Sequence, residues 1–168
     1  MSDNLPVMYL ARHGETIWSL SDQHTGPTDL PLTEHGECAA RRIGEYLKGL
    51  TVAIVWTSPL QRAARTYELA GFRAVAEVDR DLTKWDYGQY EGLRTAEIRA
   101  ERPNWGLFVD GCPGGESPGQ VSGGLTVSDV AYGRFRGTRC GLRAGILFWF
   151  VPPAGPGLNR RPIASTSC

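Results

Sequence analysis

Val52-Ala53-Ile54-Val55-Trp56-Thr57-Ser58-Pro59-Leu60-Gln61-Arg62 passes from a short apolar run straight into a helix start. Valine, isoleucine and threonine carry branched Cβ atoms that suit a pleated, half-buried surface, so Val52 to Thr57 reads as a buried strand. Ser58, Pro59 and Gln61 then read as N-cap, first helical position and capping-box partner, with the helix reaching Ala70 and Gly71 ending it. Towards the N-terminus, Val7 to Leu10 is a second strand-like run. Thr33 follows as the cap of a helix over Glu34 to Lys48, in which Cys38, Ala39, Ile43, Tyr46, Leu47 and Leu50 recur at helical spacing and Gly49 closes the end. Towards the C-terminus, Ala74 to Val78 reads as a third strand. Strand, helix, strand, helix, strand predicts an α/β three-layer sandwich, with a mainly parallel central sheet and helices on both faces.

The 168 residues suffice for one domain with a full core. Eighteen basic and 18 acidic residues cancel, so no global field draws the chain to nucleic acid or to an anionic membrane, and neither is expected as a partner. Oligomeric state is left open. Cys38, Cys112, Cys140 and Cys168 are widely scattered, which indicates neither a zinc site nor structural disulfides. Met1-Ser2-Asp3-Asn4 does not lead into a basic and then apolar leader, so a cytoplasmic location is expected. The apolar run Gly145 to Val151 is too short to span a bilayer.

Chemistry is concentrated where the first strand runs into a loop, at Arg12-His13-Gly14. A neutral imidazole is a competent nucleophile, and the adjacent guanidinium supplies fixed charge with a planar fork of donors suited to phosphate. Gly14 is expected to let the backbone approach an oxyanion and add main-chain N–H donors there. Strands of a parallel sheet end at one edge, so this loop and the helix start at Arg62 face one crevice, where the helix N-terminus also favours an anion. Arg62 is read as a second phosphate-binding cation and Arg65 as solvated helix surface.

Four segments together resemble the histidine phosphatase superfamily, the phosphoglycerate mutase-like fold. They are Ala11-Arg12-His13-Gly14-Glu15-Thr16-Ile17-Trp18, Thr25-Gly26-Pro27-Thr28-Asp29-Leu30-Pro31-Leu32-Thr33, Thr57-Ser58-Pro59-Leu60-Gln61-Arg62-Ala63-Ala64-Arg65-Thr66 and Trp85-Asp86-Tyr87-Gly88-Gln89-Tyr90-Glu91-Gly92-Leu93, with Gly114-Gly115-Glu116-Ser117 as a weaker fifth. The resemblance implies a metal-independent phosphomonoester hydrolase, without cofactor, acting on a small organic phosphate such as a sugar phosphate. His13 would attack phosphorus in line and carry a phosphohistidine while Arg12 and Arg62 neutralise the equatorial oxygens. Thr25 and Gly26 match positions lining the substrate side, Ser19 stands where many members have asparagine, and Lys84 is placed to bind phosphate as a point charge. The larger mutases carry insertions for which this chain has little room.

Three features depart from the family pattern. Lys84 occupies the position before Trp85 where relatives usually place a proton-donating glutamate. The family's second, late histidine has no counterpart, because the histidines are His13, His24 and His35. His24 is read as loop surface beside the Thr25-Gly26 pocket and His35 as solvated. After Ser122, a single acidic residue, Asp129, stands against six arginines and no lysine, among glycines and the stretch Pro152-Pro153-Ala154-Gly155-Pro156-Gly157.

Residues 1–122 therefore read as the histidine phosphatase-like domain. Residues 123–168 read as a Gly/Arg/Pro-rich segment foreign to the fold, as a shifted reading frame would produce; the alternative is a basic tail for an acidic partner. Leu125 to Val130 and Gly145 to Val151 are the runs able to supply substitute strands. Asp86 and Glu91 are nearby carboxylates that are candidates to replace the missing acid, with loop hydrogen bonding preferred for Asp86, and Trp18, Trp85, Tyr87 and Tyr90 are candidates for a substrate wall. Residues 94 to 102 read as a short exposed helix capped by Thr95 and anchored by Ile98. Two alternative functions stay open: a phosphohistidine protein phosphatase, and a catalytically inactive phosphate-binding protein.

Overall fold

The computed structural model describes residues 7–50, 52–122 and 145–150. Strand β1 (Val7–Arg12) leads through the short helix α1 (Ile17–Leu20) to helix α2 (Glu34–Tyr46), followed by β2 (Val52–Thr57), α3 (Gln61–Leu69) and β3 (Ala76–Val78). Short helices α4 (Thr95–Glu101), α5 (Leu107–Asp110) and α6 (Pro118–Ser122) come next, and β4 (Gly145–Phe150) is the last described element. Thr33 caps α2 as expected, its hydroxyl accepting the Gly36 N–H at 3.0 Å. Gly49, at φ 87°, takes the left-handed conformation that stops the chain beyond that helix.

The start of α3 corrects the Ser58 cap. Helical residues begin at Gln61, and no side chain of the preceding residue, Leu60, closes the turn. Asp29 does so from 32 residues away: its Oδ1 accepts the Gln61 N–H at 2.8 Å, and its carbonyl accepts the Gln61 side-chain amide at 2.7 Å. A carboxylate is a stronger acceptor for an orphan helix donor than a hydroxyl, and at the positive end of the helix it is also electrostatically favoured. The Ser58 hydroxyl instead accepts the Leu60 N–H at 3.4 Å. The α4 cap moves similarly, from Thr95 to Arg94, whose N–H donates to the Glu97 carboxylate at 2.7 Å. Ile98, 2% exposed, anchors that helix as expected.

The sheet order is β1-β4-β2-β3. Strands β2 and β3 pair in parallel, whereas β4 runs antiparallel to both β1 and β2. The expectation of a mainly parallel sheet is therefore met in the shared direction of β1, β2 and β3 and corrected in the hydrogen-bonded pairs. The run Gly145–Phe150 forms the strand between β1 and β2, whereas Leu125 to Val130 lies outside the described residues. An apolar run carries no signal of its direction, so periodicity alone could not orient β4.

Two clusters form the core. Leu47 at the C-cap of α2, Val55 of β2 and Ala63 of α3 meet beneath Tyr9, Ala11, Ile43 and Tyr67, so both longer helices share one cluster with the sheet. Trp85, Tyr87, Tyr90, Ile98, Trp105, Cys112 and Val121 make a second, aromatic cluster in the loop-rich region beyond β3. Cys112 is free and buried, but Cys38 is disulfide-bonded, which corrects the expectation of no disulfide; scattered spacing carries no pairing signal. Among the described residues no helix is long and apolar enough to cross a membrane.

Candidate active site

Because β1 and β2 point the same way, Arg12 at the end of β1 and the Ser58–Arg62 segment after β2 lie at one edge of the sheet. His13 sits in the loop immediately after Arg12. Its Nδ1 lies 2.7 Å from the Gly14 carbonyl. A carbonyl can only accept, so the proton resides on Nδ1 and Nε2 keeps a free lone pair. Burial lowers the His13 pKa to about 4, and the charges of Arg62, Arg12 and Lys84 push the same way against the Gly14 carbonyl. His13 is thus a neutral imidazole among three cations at any pH near neutrality.

Arg62 is 1% exposed. Its Nη1 donates to the Thr28 carbonyl at 2.8 Å and its Nη2 to the Gly26 carbonyl at 2.7 Å. That loop is held in turn by Glu91, whose two carboxylate oxygens accept the Gly26 N–H and the Thr28 hydroxyl, each at 2.6 Å. Burial pulls the Arg62 pKa down while Asp29 and Glu91 oppose it, and a guanidinium stays charged throughout.

Gly14 departs from its expected role. Its N–H donates to the Thr66 hydroxyl at 3.1 Å, inside the protein, and so is not an oxyanion donor. A Cβ at this position would stand 2.3 Å from the Gly36 carbonyl of α2, so the glycine serves the close approach of that helix. Thr66, fully buried, donates its own proton to the Arg62 carbonyl at 2.6 Å.

The expected substrate-side residues are placed as follows. Gly26 is buried beside Trp85, whose carbonyl a Cβ there would meet at 2.2 Å. The Thr25 hydroxyl donates to the Gln23 carbonyl at 3.2 Å. Ser19 lies on α1 in a reciprocal cap with Thr16, its hydroxyl donating to the Thr16 carbonyl at 2.9 Å and accepting the Thr16 N–H at 2.8 Å. Lys84 is brought to the site: its charge acts on both His13 and His24, and its Nζ stands 5.9 Å from the centre of the Tyr87 ring.

His24 is not loop surface. It stacks on Tyr87 with centroids 4.6 Å apart, meets Trp105 edge-on at 5.7 Å and places Nε2 3.1 Å from the Thr95 hydroxyl. Burial, followed by Lys84, lowers its pKa. Trp85, Tyr87 and Tyr90 are 4%, 4% and 8% exposed, and so belong to the core rather than to an open wall. Trp18 packs its ring against Gly92. Asp86 bonds within its loop, accepting the Gly88 N–H at 2.8 Å, and Arg65 pairs on the surface with Glu37 of α2 at 2.8 Å. His35 is exposed and lies 3.4 Å from Glu15.

The weaker fifth segment docks on the fourth. The Glu116 carbonyl accepts the Trp85 indole N–H at 3.0 Å, and its carboxylate accepts the Asp86 N–H at 2.9 Å. A cavity of about 720 Å³ reaches Arg12 and His13 from the side of β1 and α2, walled by Tyr9, Leu10, Ile43 and Tyr46. No group of three or more His, Cys, Asp or Glu placed to hold a metal occurs among the described residues.

Asp29, Thr66 and Glu91 are the residues on which this geometry depends and to which sequence reasoning gave no such role. Each lies inside a motif segment, and that membership is the signal through which they were accessible.

Comparison with known proteins agrees with this arrangement. The chain is 45% identical over 117 residues to an acid phosphatase of Mycobacterium tuberculosis, a match covering 68% of this chain and 57% of the relative. It is 40% identical over 149 residues to sedoheptulose 1,7-bisphosphatase of Saccharomyces cerevisiae, covering 73% and 53%. The chain thus spans little more than half the length of these curated relatives. A solved structure of an open reading frame product from Mycobacterium tuberculosis superimposes with a TM-score of 0.65 at 45% identity, covering 70% of this chain and 61% of that one. The model of the histidine phosphatase superfamily, branch 1, matches residues 8–131, which include His13, Arg62 and the loops that position them. By these matches the chain belongs to the histidine phosphatase superfamily.

Proposed function

We propose that the chain is a phosphomonoester hydrolase that works through a phosphohistidine on His13, without a metal. The observation that carries this reading is a half-buried imidazole, tied at Nδ1 with a free lone pair on Nε2, among the charges of Arg12, Arg62 and Lys84. Nε2 attacks phosphorus in line, and the ester oxygen leaves with the bonding pair and takes up a proton. Water then attacks the phosphohistidine, releasing phosphate and restoring the imidazole. Arg12 and Arg62 neutralise the equatorial oxygens, where preorganised charge is worth most. The Thr25-Gly26 loop and Ser19 form the substrate side, and Lys84 binds phosphate.

A small organic phosphate, in particular a sugar phosphate, is the proposed substrate. Two relatives are named for acid phosphatase and sugar bisphosphatase activities, which supports that class. The hydrolytic site is proposed to lie within residues 1–122, followed by an atypical Gly/Arg/Pro-rich segment over 123–168.

Lys84 supports a second reading, a phosphate binder with little turnover. A lysine among arginines holds an anion well and protonates a leaving alkoxide poorly. One experiment separates the two: rapid mixing with a radiolabelled aryl phosphate, followed by acid and alkaline quenching. An acid-labile, base-stable label that is lost in His13→Ala and turns over supports the hydrolase. Label without turnover supports the second reading, and no label on His13 overturns the phosphohistidine mechanism.

A further inference from the structure

We infer that Thr66 is a positioning residue of this site, its hydroxyl fixing the His13 imidazole relative to the helix that carries Arg62. The kinetic part of the inference rests on the proposed phosphohistidine chemistry, whereas the structural part rests on geometry alone. Thr66 lies one helical turn beyond Arg62 on α3 and has no solvent exposure. Its hydroxyl proton is committed to the Arg62 carbonyl at 2.6 Å, so its lone pairs face the Gly14 N–H at 3.1 Å. The Gly14 carbonyl accepts the His13 Nδ1–H at 2.7 Å. One relay, buried at Thr66 and half-buried at His13, therefore connects the backbone under Arg62 to the ring of His13.

A threonine in a helix often bonds back to the carbonyl four residues earlier, and that bond alone would be ordinary. The second bond, to a residue 52 positions away, gives the hydroxyl its tertiary role. Without it the Gly14 N–H is buried and unpaired, a condition the loop relieves only by moving. Movement towards α2 is blocked, because the Gly36 carbonyl already lies against Gly14. The displacement therefore carries Gly14 outwards together with the carbonyl that holds the ring, weakens the Nδ1–H bond and removes the preference for the tautomer with a free Nε2.

The test compares the full-length chain with Thr66→Val, which keeps the shape and removes the hydroxyl, and Thr66→Ser, which keeps the hydroxyl. In ¹⁵N-histidine NMR spectra at neutral pH, His13 is expected as the Nδ1–H tautomer in the wild type and in Thr66→Ser, and as a mixture in Thr66→Val. With an aryl phosphate, kcat/KM is expected to fall on the order of 10²-fold in Thr66→Val, chiefly through kcat, since misplacement of about 1 Å costs that much. Thr66→Ser should stay close to wild type. An unchanged tautomer balance in Thr66→Val, or equal losses in both variants, overturns the inference. If the wild type itself lacks activity, the proposed reaction fails but the tautomer comparison still decides the role of Thr66. If Thr66→Val does not fold, the wild-type Gly14 amide decides: protection from hydrogen exchange supports the relay, and exchange at an open-loop rate overturns it.

Discussion

Glu91 accepts the Gly26 N–H at 2.6 Å and so stands behind the loop whose carbonyls hold Arg62. The carboxylate also accepts the Thr28 hydroxyl, leaving each of its oxygens engaged. Such a group is a scaffold for the proposed phosphate site rather than a free acid. Glu91→Ala is expected to lower stability by about 1–3 kcal/mol, the cost of leaving buried donors unpaired. It should also weaken phosphate binding, and Glu91→Gln should lose less of both. Urea unfolding and titration calorimetry with inorganic phosphate measure the two effects.

The pH dependence follows from His13. Its pKa of about 4 in the fold lies below the ordinary 6.5, so the unfolded chain binds more protons than the folded one between those values. Stability therefore rises with pH across that window, on the order of 3 kcal/mol from this group, and the gain is complete above the unfolded pKa. The acid limb of kcat/KM is expected near pH 4 rather than near 6.5. Replacing His13 by Gln should flatten the stability change across the window, as read from thermal midpoints at several pH values.

Lys84 is expected to limit the release of poor leaving groups. Lys84→Glu introduces a carboxylic acid, and general acid catalysis contributes about 10²–10⁴-fold. The kcat for an alkyl phosphate should rise by on the order of 10²-fold, most clearly at mildly acid pH, while that for an aryl phosphate changes little and KM rises for both because a phosphate-binding cation is lost. The same substitution removes a cation that depresses the His13 pKa, so the acid limb should move upwards. Parallel pH–rate profiles for the two substrates check both effects.

Gly14→Ala is expected to be severe although it adds one methyl group. The new Cβ would stand 2.3 Å from backbone oxygen rather than from a yielding side chain, so α2 must shift. A loss of about 1–3 kcal/mol is typical of such overpacking. Labelling of His13 should fall with it, because the moved loop carries the proposed nucleophile. Thermal melting and the quench assay give the two readings.

The parts of the molecule legible in the sequence are those set by local chemistry. Thr33 caps α2 through its own hydroxyl, and Val52–Thr57 pairs as a strand because its side chains suit one. His13, Arg12 and Arg62 reach one sheet edge because the strands before them share a direction. Illegible features depend on groups distant in sequence. The Asp29 carboxylate displaced Ser58 as the cap of α3, the approach of α2 gave Gly14 a steric duty, and the packing of Tyr87 and Trp105 drew His24 off the surface. The antiparallel direction of β4 belongs to the same class.

The bond from Asp29 to Gln61 also sets an order of assembly. Helix α3 has nine residues, too few to persist alone in water, and its first turn is closed by a loop 32 residues earlier in the chain. Bringing that loop home incurs the entropy of closing the intervening segment before the helix start gains its acceptor. Arg62, in the first turn of α3, therefore takes its final orientation in the same cooperative step as the 25–30 loop. The end of the molecule that holds His13 and Arg62 is thus completed by docking of that loop, and whatever loosens the loop opens the helix start with it.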